Sequence, residues 1–340
     1  MAVLIDNRPT TAPLVDGYGR HVRYLRLSVT DRCDLRCVYC MPERMRFLPK
    51  ADLLSFEEIE RLADAFIDRG VTKLRLTGGE PLVRKGVIDL VRRLGARLGR
   101  GLNELALTTN GVLLEAFAND LAGAGVSRVN ISLDTLNPDT FARIARRQSF
   151  SEVMRGVDAA ERAGLRVKIN TVALADANRD EIPAIIQWAH ERGFDISLIE
   201  VMPMGEGVAG RRQSFLSLQD VRTDLEKLWT LTETRKTTGG PSRYVRVQET
   251  GGLLGFISPL TNNFCDGCNR IRLTATGRLY SCLGHEEGAD LRAMLRRGVT
   301  SAGFDETLDA VLGAKPARHD FDQMTIDRAA SPRTMSVTGG

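Results

Sequence analysis

Apolar residues along the first 200 positions fall into short strand-like runs that alternate with longer stretches of helical spacing. The strand-like runs cover residues 24–30, 73–78, 104–110, 128–134, 166–174 and 195–202. Between them, apolar residues recur every three or four positions over 55–66, 87–98, 113–125, 151–164 and 180–193, which predicts amphipathic helices. We interpret the alternation as six βα repeats, which predict a parallel sheet with right-handed crossovers.

The predicted helices have recognisable ends. Ser55 is a candidate N-cap for the helix at 55–66, and Glu58 three residues later completes a capping-box pattern. After about residue 205 the pattern changes to glycine-rich, charge-mixed segments with short β runs. We therefore expect one domain over 1–205 and a separate C-terminal α+β module over 206–340. The last stretch, 330–340, is expected to be a mobile tail.

Three of the predicted strands carry polar residues at every second position. These residues are Arg26 and Ser28 in the first strand, Lys73, Arg75 and Thr77 in the second, and Lys168 and Asn170 in the fifth. Side chains two positions apart share a face of a strand. If helices cover the outer face, the polar face looks into a lumen, which favours an incomplete (βα)6 TIM-type barrel over a flat sheet buried on both sides. Frayed and exposed strand edges are the alternative.

Composition restricts the class of protein. The 340 residues are 43% hydrophobic and 26% charged, close to globular averages, and the formal net charge is only +4. No apolar run approaches the ~18–20 residues that cross a bilayer, and no basic stripe indicates specific nucleic-acid binding. The first 17 residues contain no signal-peptide core. We expect a cytoplasmic protein without a membrane partner.

The six cysteines form two triplets: Cys33, Cys37 and Cys40, and Cys265, Cys268 and Cys282. A disulfide framework uses even groups and suits small chains in oxidising compartments. Two triplets in a long chain indicate metal, and thiolates favour zinc or iron–sulfur clusters.

The first triplet has the spacing C-x3-C-x2-C and follows the first strand, and a GGEP stretch at 78–81 ends the second strand. In β/α barrels the chemistry takes place at the C-terminal ends of the strands. Three thiolates can hold three corners of a cubane cluster and leave one iron open for a ligand. The alternative is a structural zinc knuckle with a distant fourth ligand, which this spacing fits poorly.

The second triplet is more ambiguous. Its spacing, together with His285, gives C-x2-C-x13-C-x2-H, which is compatible with zinc and with an iron–sulfur cluster alike. Arg270 and Arg272 share one face of the strand that leaves Cys268. Two guanidiniums beside a metal indicate an anionic ligand held by arginine forks. His21, His190 and His319 are expected to be surface or hydrogen-bonded histidines.

CDLRCVYC resembles the radical S-adenosylmethionine (SAM) signature, with Tyr39 as its aromatic, and GGEP resembles the glycine-rich element of that superfamily. Residues 20–340 resemble the GTP 3′,8-cyclase family of molybdenum cofactor biosynthesis. The stretches that carry this resemblance are RLSVTDRCDLRCVYCMP, LRLTGGEPLVR, FCDGCNRIRLTATGRLYSCL and the terminal Gly339-Gly340. The resemblance implies 4Fe–4S clusters on both triplets, SAM on the open iron of the first, and GTP on the open iron of the second.

The resemblance also implies roles for individual residues. The SAM contacts map onto Tyr39, Gly79, Ser132 and Met202. The GTP contacts map onto Arg26, Arg75, Thr108, Lys168, Arg270 and Arg272, and Lys73 is added because it shares a face with Arg75. Arg270 and Arg272 are the catalytic candidates, although a guanidinium holds its protons too firmly to be a good acid.

In that family a 5′-deoxyadenosyl radical takes hydrogen from C3′ of GTP, and C3′ closes onto C8 of guanine. The implied partners are GTP, an electron donor of the flavodoxin or ferredoxin type, and cyclic pyranopterin monophosphate synthase as the next enzyme. The sequence leaves the oligomeric state open, with a homodimer as one candidate. One departure is Ser197, where family members often have arginine, and the Gly-Gly tail is expected to reach toward the active site. Two alternatives stay open. They are a radical SAM enzyme that modifies a peptide with an auxiliary cluster, and a non-catalytic iron–sulfur or zinc protein.

Overall fold

The computed structural model describes residues 12–205 and 208–339. Residues 1–11 and Gly340 lie outside the described residues. The predicted start of the first domain and the expectation of no targeting segment concern residues 1–11, so both fall outside the described part. The strands in the described part are β1 Tyr24–Ser28, β2 Lys73–Thr77, β3 Glu104–Thr109, β4 Arg128–Ser132, β5 Arg166–Ala173, β6 Asp195–Glu200, β7 Leu231–Glu233, β8 Arg243–Val247, β9 Leu253–Ile257, β10 Arg270–Leu273, β11 Arg278–Tyr280 and β12 Gly288–Asp290.

The α-helices in the same part are α1 Phe56–Asp68, α2 Val87–Gly95, α3 Leu114–Gly123, α4 Pro138–Ala145, α5 Phe150–Arg162, α6 Ile182–Glu191, α7 Arg211–Ser214, α8 Leu218–Glu226, α9 Leu291–Arg297, α10 Ser301–Gly313 and α11 Met335–Thr338. Short 3-10 turns lie at Lys50–Asp52, Pro81–Val83 and Arg179–Glu181. All six predicted strands and all five predicted helices are confirmed, and the capping box at Ser55 and Glu58 is present in both directions.

One helix of the first 200 residues was not predicted. Helix α4 has only eight residues, so it offers few apolar positions for a periodicity to show. Its start is local: Asn137 accepts hydrogen bonds from the backbone N–H groups of Asp139 and Thr140, and Pro138 occupies the first turn. This helix supports the loop that carries the first cysteine triplet.

The strands form one sheet in the order β12-β11-β10-β1-β2-β3-β4-β5-β6-β9-β8-β7. The run from β10 through β1–β6 to β9 is parallel, and the outer strands at both ends are antiparallel. In the described residues β12 and β7 are edges, so the sheet is an incomplete barrel, as the alternating pattern predicts. C-terminal strands extend both ends of the six-stranded unit. The boundary near residue 205 stays a prediction.

The two faces of the sheet divide as the alternation predicts. The apolar positions of the strands pack against the surrounding helices in one continuous core, for example Leu25, Leu74 and Ile169, each fully buried. The polar positions Arg26, Arg75, Lys168 and Asn170 face an interior cavity. The alternative of frayed edges is therefore wrong for these residues. No helix in the described part of the chain is long and apolar enough to cross a bilayer.

The prediction of a mobile tail at 330–340 is wrong for the residues that the structure describes. Ser331 and Thr338 are fully buried, and the segment ends in the short helix α11. Ala330 N donates to the Pro203 carbonyl at 2.8 Å, and Gly205 N donates to the Ser331 carbonyl at 2.9 Å. These contacts dock the tail beside the C-terminal end of β6, and they lie too far apart in sequence for a local pattern to indicate them.

Candidate functional site

Both cysteine triplets line one cavity at the C-terminal ends of the parallel strands. Every other predicted site residue except Lys73 lines the same cavity: Arg26, Tyr39, Arg75, Gly79, Thr108, Ser132, Lys168, Met202, Arg270 and Arg272. Residues from β1–β6, from β10 and from the tail thus meet around one space. The fold brings together groups that are up to about 300 positions apart in the chain.

The loop after β1 carries the first triplet and is held against α4. Arg36 N donates to the Ala145 carbonyl at 2.9 Å, and Val38 N donates to the Ile144 carbonyl at 3.0 Å. Cys40 N donates to the Cys37 carbonyl at 3.0 Å, so the chain turns tightly between these cysteines. The turn presents Cys33, Cys37 and Cys40 to the cavity as free thiols.

Burial and nearby carboxylates both oppose ionisation of the first triplet. Burial raises the pKa of Cys40 to about 12 and also raises the pKa of Cys33 and Cys37, with Glu80 adding to the shift at Cys33. A bound metal centre reverses this balance, because it brings positive charge and ligates the thiolate form. Three thiols on one turn in an acidic, buried setting therefore fit a cluster that supplies its own positive charge.

The GGEP stretch packs directly on the loop that leads into Cys33. Gly79 N donates to the Thr30 carbonyl at 2.8 Å, and Glu80 N donates to the Arg32 carbonyl at 2.7 Å. A Cβ on Gly79 would lie 2.4 Å from the Arg32 carbonyl oxygen. The glycine is therefore required by backbone packing against the cysteine loop, and close approach to a ligand is not its only reason.

An acidic residue that was not among the predicted site residues supports the predicted SAM-binding side of the cavity. The Tyr39 hydroxyl donates to Asp134 Oδ2 at 2.7 Å, and Val172 N donates to Asp134 Oδ1 at 2.8 Å. Burial raises the pKa of Asp134 to about 6. Asp134 stands two positions after Ser132 in the run SLDT at the end of β4, and that strand-end position is the signal that could have identified it.

The second triplet lies in a basic environment. Burial acts to raise the pKa of Cys268, but Arg270 and Lys315 outweigh it and lower that pKa to about 6. Arg270 Nη2 lies 3.8 Å and Lys315 Nζ 3.6 Å from Cys268 Sγ, and Cys268 N donates to the Cys265 carbonyl at 3.0 Å. A thiolate is stabilised here without metal, so this triplet also fits a thiolate-ligated cluster.

The C-x2-C-x13-C-x2-H spacing makes His285 a candidate ligand of the second triplet, but the positions of the nearby histidines do not agree with it. His285 is absent from the cavity wall, and its ring nitrogens lie 3.4 Å from Asp320 and 3.7 Å from Glu287. His319 does line the cavity, stacked on Phe321 with ring centroids 4.4 Å apart. In the part of the chain that the structure covers, no three His, Cys, Asp or Glu side chains converge on a point that could hold a single metal ion.

Arginines from three neighbouring strands form a row across the cavity floor. Arg272 of β10 is in register with Arg26 of β1, which is in register with Arg75 of β2. Burial, then Arg26 and Arg270, lowers the pKa of Arg272, and burial lowers the pKa of Arg26 to about 10. Buried like charges repel one another, so the row is suited to an anionic ligand with several charges.

Lys73 and Lys168 make contacts that the sequence did not predict. Lys73 does not line the cavity; its Nζ lies 2.9 Å from Glu104 Oε2 and donates to the Thr238 carbonyl at 2.7 Å. Lys168 Nζ donates to the Tyr244 hydroxyl at 2.6 Å. These contacts hold the segment 238–244 against the barrel. No sequence motif marks Thr238 or Tyr244, so only the tertiary structure identifies them. The phosphate contact assigned to Lys73 stays a prediction.

Two family models match the chain in succession. The first, described as the radical SAM superfamily, matches residues 27–189. The second, described as Molybdenum Cofactor Synthesis C, matches residues 194–321. The boundary between the matches falls near the point at which the sequence pattern changes, inside the same continuous sheet.

Two bacterial GTP 3′,8-cyclases are similar to this chain in sequence and in length. The chain is 58% identical to the GTP 3′,8-cyclase of Caulobacter vibrioides over 100% of this chain and 97% of that protein. It is 57% identical to the GTP 3′,8-cyclase of Erythrobacter litoralis over 96% of this chain and 98% of that protein. Among solved structures, Streptococcus suis SuiB matches with a TM-score of 0.59 at 15% identity, over 86% of this chain and 68% of that one. This last likeness concerns the fold alone.

Proposed function

The chain belongs to the GTP 3′,8-cyclase family of the radical SAM superfamily, and from that membership we propose that its cavity converts GTP into (8S)-3′,8-cyclo-7,8-dihydroguanosine 5′-triphosphate. This is the first step of molybdenum cofactor biosynthesis. The observation that carries the proposal is that two cysteine triplets and a row of arginines line one cavity. The alternatives of a peptide-modifying enzyme and a non-catalytic metal protein are not favoured by the relatives.

Each triplet holds one 4Fe–4S cluster, Cys33, Cys37 and Cys40 the first and Cys265, Cys268 and Cys282 the second. When bound, the first cluster supplies the electron that cleaves SAM to methionine and a 5′-deoxyadenosyl radical. Tyr39, Gly79, Ser132 and Met202 bind SAM, and the Tyr39–Asp134 hydrogen bond fixes the tyrosine ring beside it. The GGEP stretch is held in place by the loop before Cys33, because the Gly79 and Glu80 N–H groups donate to carbonyls of that loop.

The protein's part on the GTP side is binding and orientation. Arg26, Arg75 and Arg272 meet the triphosphate from the cavity floor, and Thr108 and Lys168 contact it from β3 and β5. Arg270 lies beside the second triplet and above the Phe264 ring, 5.1 Å from its centroid, so its guanidinium is fixed in direction. Arg270 and Arg272 stabilise the negative charge that develops when an electron from the reductant reduces the nitrogen radical left by ring closure, and they are poor proton donors.

The proposed partners outside the cavity follow from the family. A reductant of the flavodoxin or ferredoxin type supplies electrons, and cyclic pyranopterin monophosphate synthase takes the product. The protein acts in the cytoplasm as a homodimer. Lys73 assists GTP binding through the loop at Thr238, whose carbonyl it holds.

Anaerobic incubation of the reconstituted protein with SAM, GTP and dithionite tests the proposal. We expect 5′-deoxyadenosine and a cyclised nucleotide triphosphate in equal amounts, and GTP deuterated at C3′ should transfer its label to 5′-deoxyadenosine. Cys33→Ser should abolish both products. Zinc in place of iron at the first triplet, or 5′-deoxyadenosine without any change in GTP, would contradict the proposed function.

A further inference from the structure

A buried lysine lies directly behind the second cysteine triplet. Lys315 follows helix α10, and only 3% of its surface is exposed. Its Nζ donates to the Ser281 carbonyl at 2.6 Å, to the Arg270 carbonyl at 3.0 Å and to Cys268 Sγ at 3.6 Å. An ammonium has three N–H donors, and each of the three acceptors is the sulfur of a triplet cysteine or a backbone carbonyl near one.

These three contacts join separate parts of the site. The Arg270 carbonyl lies two residues after Cys268 at the start of β10, and the Ser281 carbonyl lies one residue before Cys282. A single side chain therefore fixes the distance between the segments that carry two of the three cysteines. Loss of the ammonium would leave two buried carbonyl groups without these hydrogen bonds.

The third cysteine is tied to the same short segment by Arg20. Arg20 donates to the carbonyls of Pro316 and Ala317 at 2.6 and 2.7 Å and to the Cys265 carbonyl at 2.8 Å. The Arg20 guanidinium is itself held by Asp16 at 2.6 Å. Residues 315–317 are thus linked to the backbone beside every cysteine of the second triplet, directly through Lys315 near Cys268 and Cys282, and through the Arg20 side chain at Cys265.

The contacts of the Lys315 ammonium are to two backbone carbonyls and one sulfur. Among the described residues no Asp or Glu forms an ion pair with Lys315, although a buried ammonium is costly without a compensating charge or hydrogen bonds. The Cys268 sulfur, which can become negative, lies 3.6 Å from Lys315 Nζ. Hydrogen bonds and charges around the sulfurs set the reduction potential of an iron–sulfur cluster and the strength with which its ligands hold it.

We propose that Lys315 is a positioning residue for the second cluster, which holds the segments of Cys268 and Cys282 in register and balances the negative charge of the thiolate-bound cluster. The proposal rests on the proposed function only in that the second triplet holds an iron–sulfur cluster. It assigns Lys315 control over iron retention at that triplet and over the reduction potential there, with no direct contact to GTP.

The test uses full-length protein in which only one triplet can bind iron. Serine at Cys33, Cys37 and Cys40 isolates the second cluster, and serine at Cys265, Cys268 and Cys282 isolates the first. Lys315→Met, Lys315→Gln and Lys315→Arg are each made in both backgrounds. Arg318→Met, which removes an exposed cation from the same segment, is the matched control. Iron per chain is followed during a timed chelator challenge, and midpoint potentials are measured by redox titration with electron paramagnetic resonance.

We expect Lys315→Met to release iron from the second triplet about tenfold faster and to make its midpoint potential more negative, because removal of a nearby positive charge disfavours the reduced cluster. Lys315→Gln, which keeps a hydrogen-bond donor in the same space, should lower the potential with the fold intact. Lys315→Arg, which keeps the positive charge, should have the midpoint potential of the parent protein. The first cluster and Arg318→Met should behave as the parent proteins do.

An unchanged potential and unchanged iron retention in Lys315→Met and Lys315→Gln would overturn the role of Lys315 and leave the cyclase proposal standing. Equal iron loss from both triplets would also overturn it, because that result indicates a general loss of structure. Zinc in place of iron at the second triplet would overturn both proposals. None of these measurements uses SAM or GTP, so they do not depend on catalytic turnover.

Discussion

The Gly339 carbonyl accepts a hydrogen bond from Arg272 Nη1 at 2.9 Å and another from Arg26 Nη2 at 3.2 Å. The penultimate residue of the chain therefore lies on the arginine row at the cavity floor. The family resemblance predicts that the Gly-Gly tail reaches toward the active site, and the structure places Gly339 at the arginine row of the cavity. The tail also contributes Met335 and Ser336 to the cavity wall.

Gly339→Ala should displace the tail from the arginine row. Gly339 has φ +75°, and a Cβ there would lie 2.1 Å from Thr77 Oγ1, so strain and a clash add together. We expect faster hydrogen exchange over 335–339 and at least a ~10-fold loss of cyclisation, equivalent to about 1.4 kcal/mol.

Gly19→Ala is the matched control for this variant. Gly19 also has φ +75°, but no atom lies within 4 Å of its Cβ position. It should share the backbone strain and keep full activity. Equal activities for the two alanine variants would show that close packing at Gly339 is unimportant.

Arg272→Ala should weaken GTP binding much more than guanosine binding. A hydrogen bond between charged groups contributes ~1.5–3 kcal/mol, which corresponds to roughly 10–100-fold in the dissociation constant. Anaerobic calorimetry with both ligands measures the difference. Arg278→Ala, on the exposed side of the adjacent β11, is the control. A dissociation constant for GTP that stays at the wild-type value would remove Arg272 from the proposed binding residues.

Ser197→Arg should not restore the phosphate contact that many family members have at this position. Ser197 is fully buried, its hydroxyl lies 2.7 Å from that of Ser242, and it does not line the cavity. Gly255 packs so closely that a Cβ there would lie 2.4 Å from Ser197 Oγ. An arginine has to displace the segment around Ser242, at a cost of ~1–3 kcal/mol or more.

Chemical denaturation and GTP titration check this variant. Ser197→Ala is its control, because it loses one buried hydrogen bond, worth ~1 kcal/mol, without adding volume. A Ser197→Arg protein of normal stability that binds GTP more tightly would show that the cavity extends behind Ser242.

Folding stability should fall as the pH drops below 6.5, in part because of His190. The expectation that His190 is hydrogen-bonded is confirmed: Nδ1 lies 2.6 Å from Thr250 Oγ1 and Nε2 lies 3.3 Å from the Leu253 carbonyl. Burial lowers the pKa of His190 from 6.5, so the unfolded chain takes up a proton at a higher pH than the folded chain. The contribution of His190 to the free energy of unfolding is therefore complete above pH 6.5. It is lost as the pH falls from 6.5 toward the lower pKa that His190 has in the folded protein.

Urea unfolding between pH 5 and 7.5 measures this dependence, whose limit for one proton is about 1.4 kcal/mol per pH unit. His190→Gln should reduce the slope, whereas His21→Gln removes an exposed imidazole and should leave it unchanged. The same slope in both variants would exclude His190 as a source of the acid sensitivity.

Local signals in the sequence determined the strands β1–β6, the helices between them, the capping box at Ser55 and the two cysteine triplets. Each of these features depends on residues a few positions apart, so a short window contains the whole signal. The polar alternation at Arg26, Arg75 and Lys168 was sufficient to predict an interior basic face, because side chains two positions apart must share one side of a strand.

Tertiary structure alone decided how distant segments complete the cavity. Strands β10 and β9 extend both sides of the six-stranded unit, Gly339 docks on Arg272, and Lys315 braces the second triplet, each through contacts between residues far apart in sequence. No periodicity or spacing encodes such contacts, because they arise when the buried polar groups of one segment find partners on another. For the same reason His285 fits a ligand pattern in the sequence, yet it is His319 that lines the cavity.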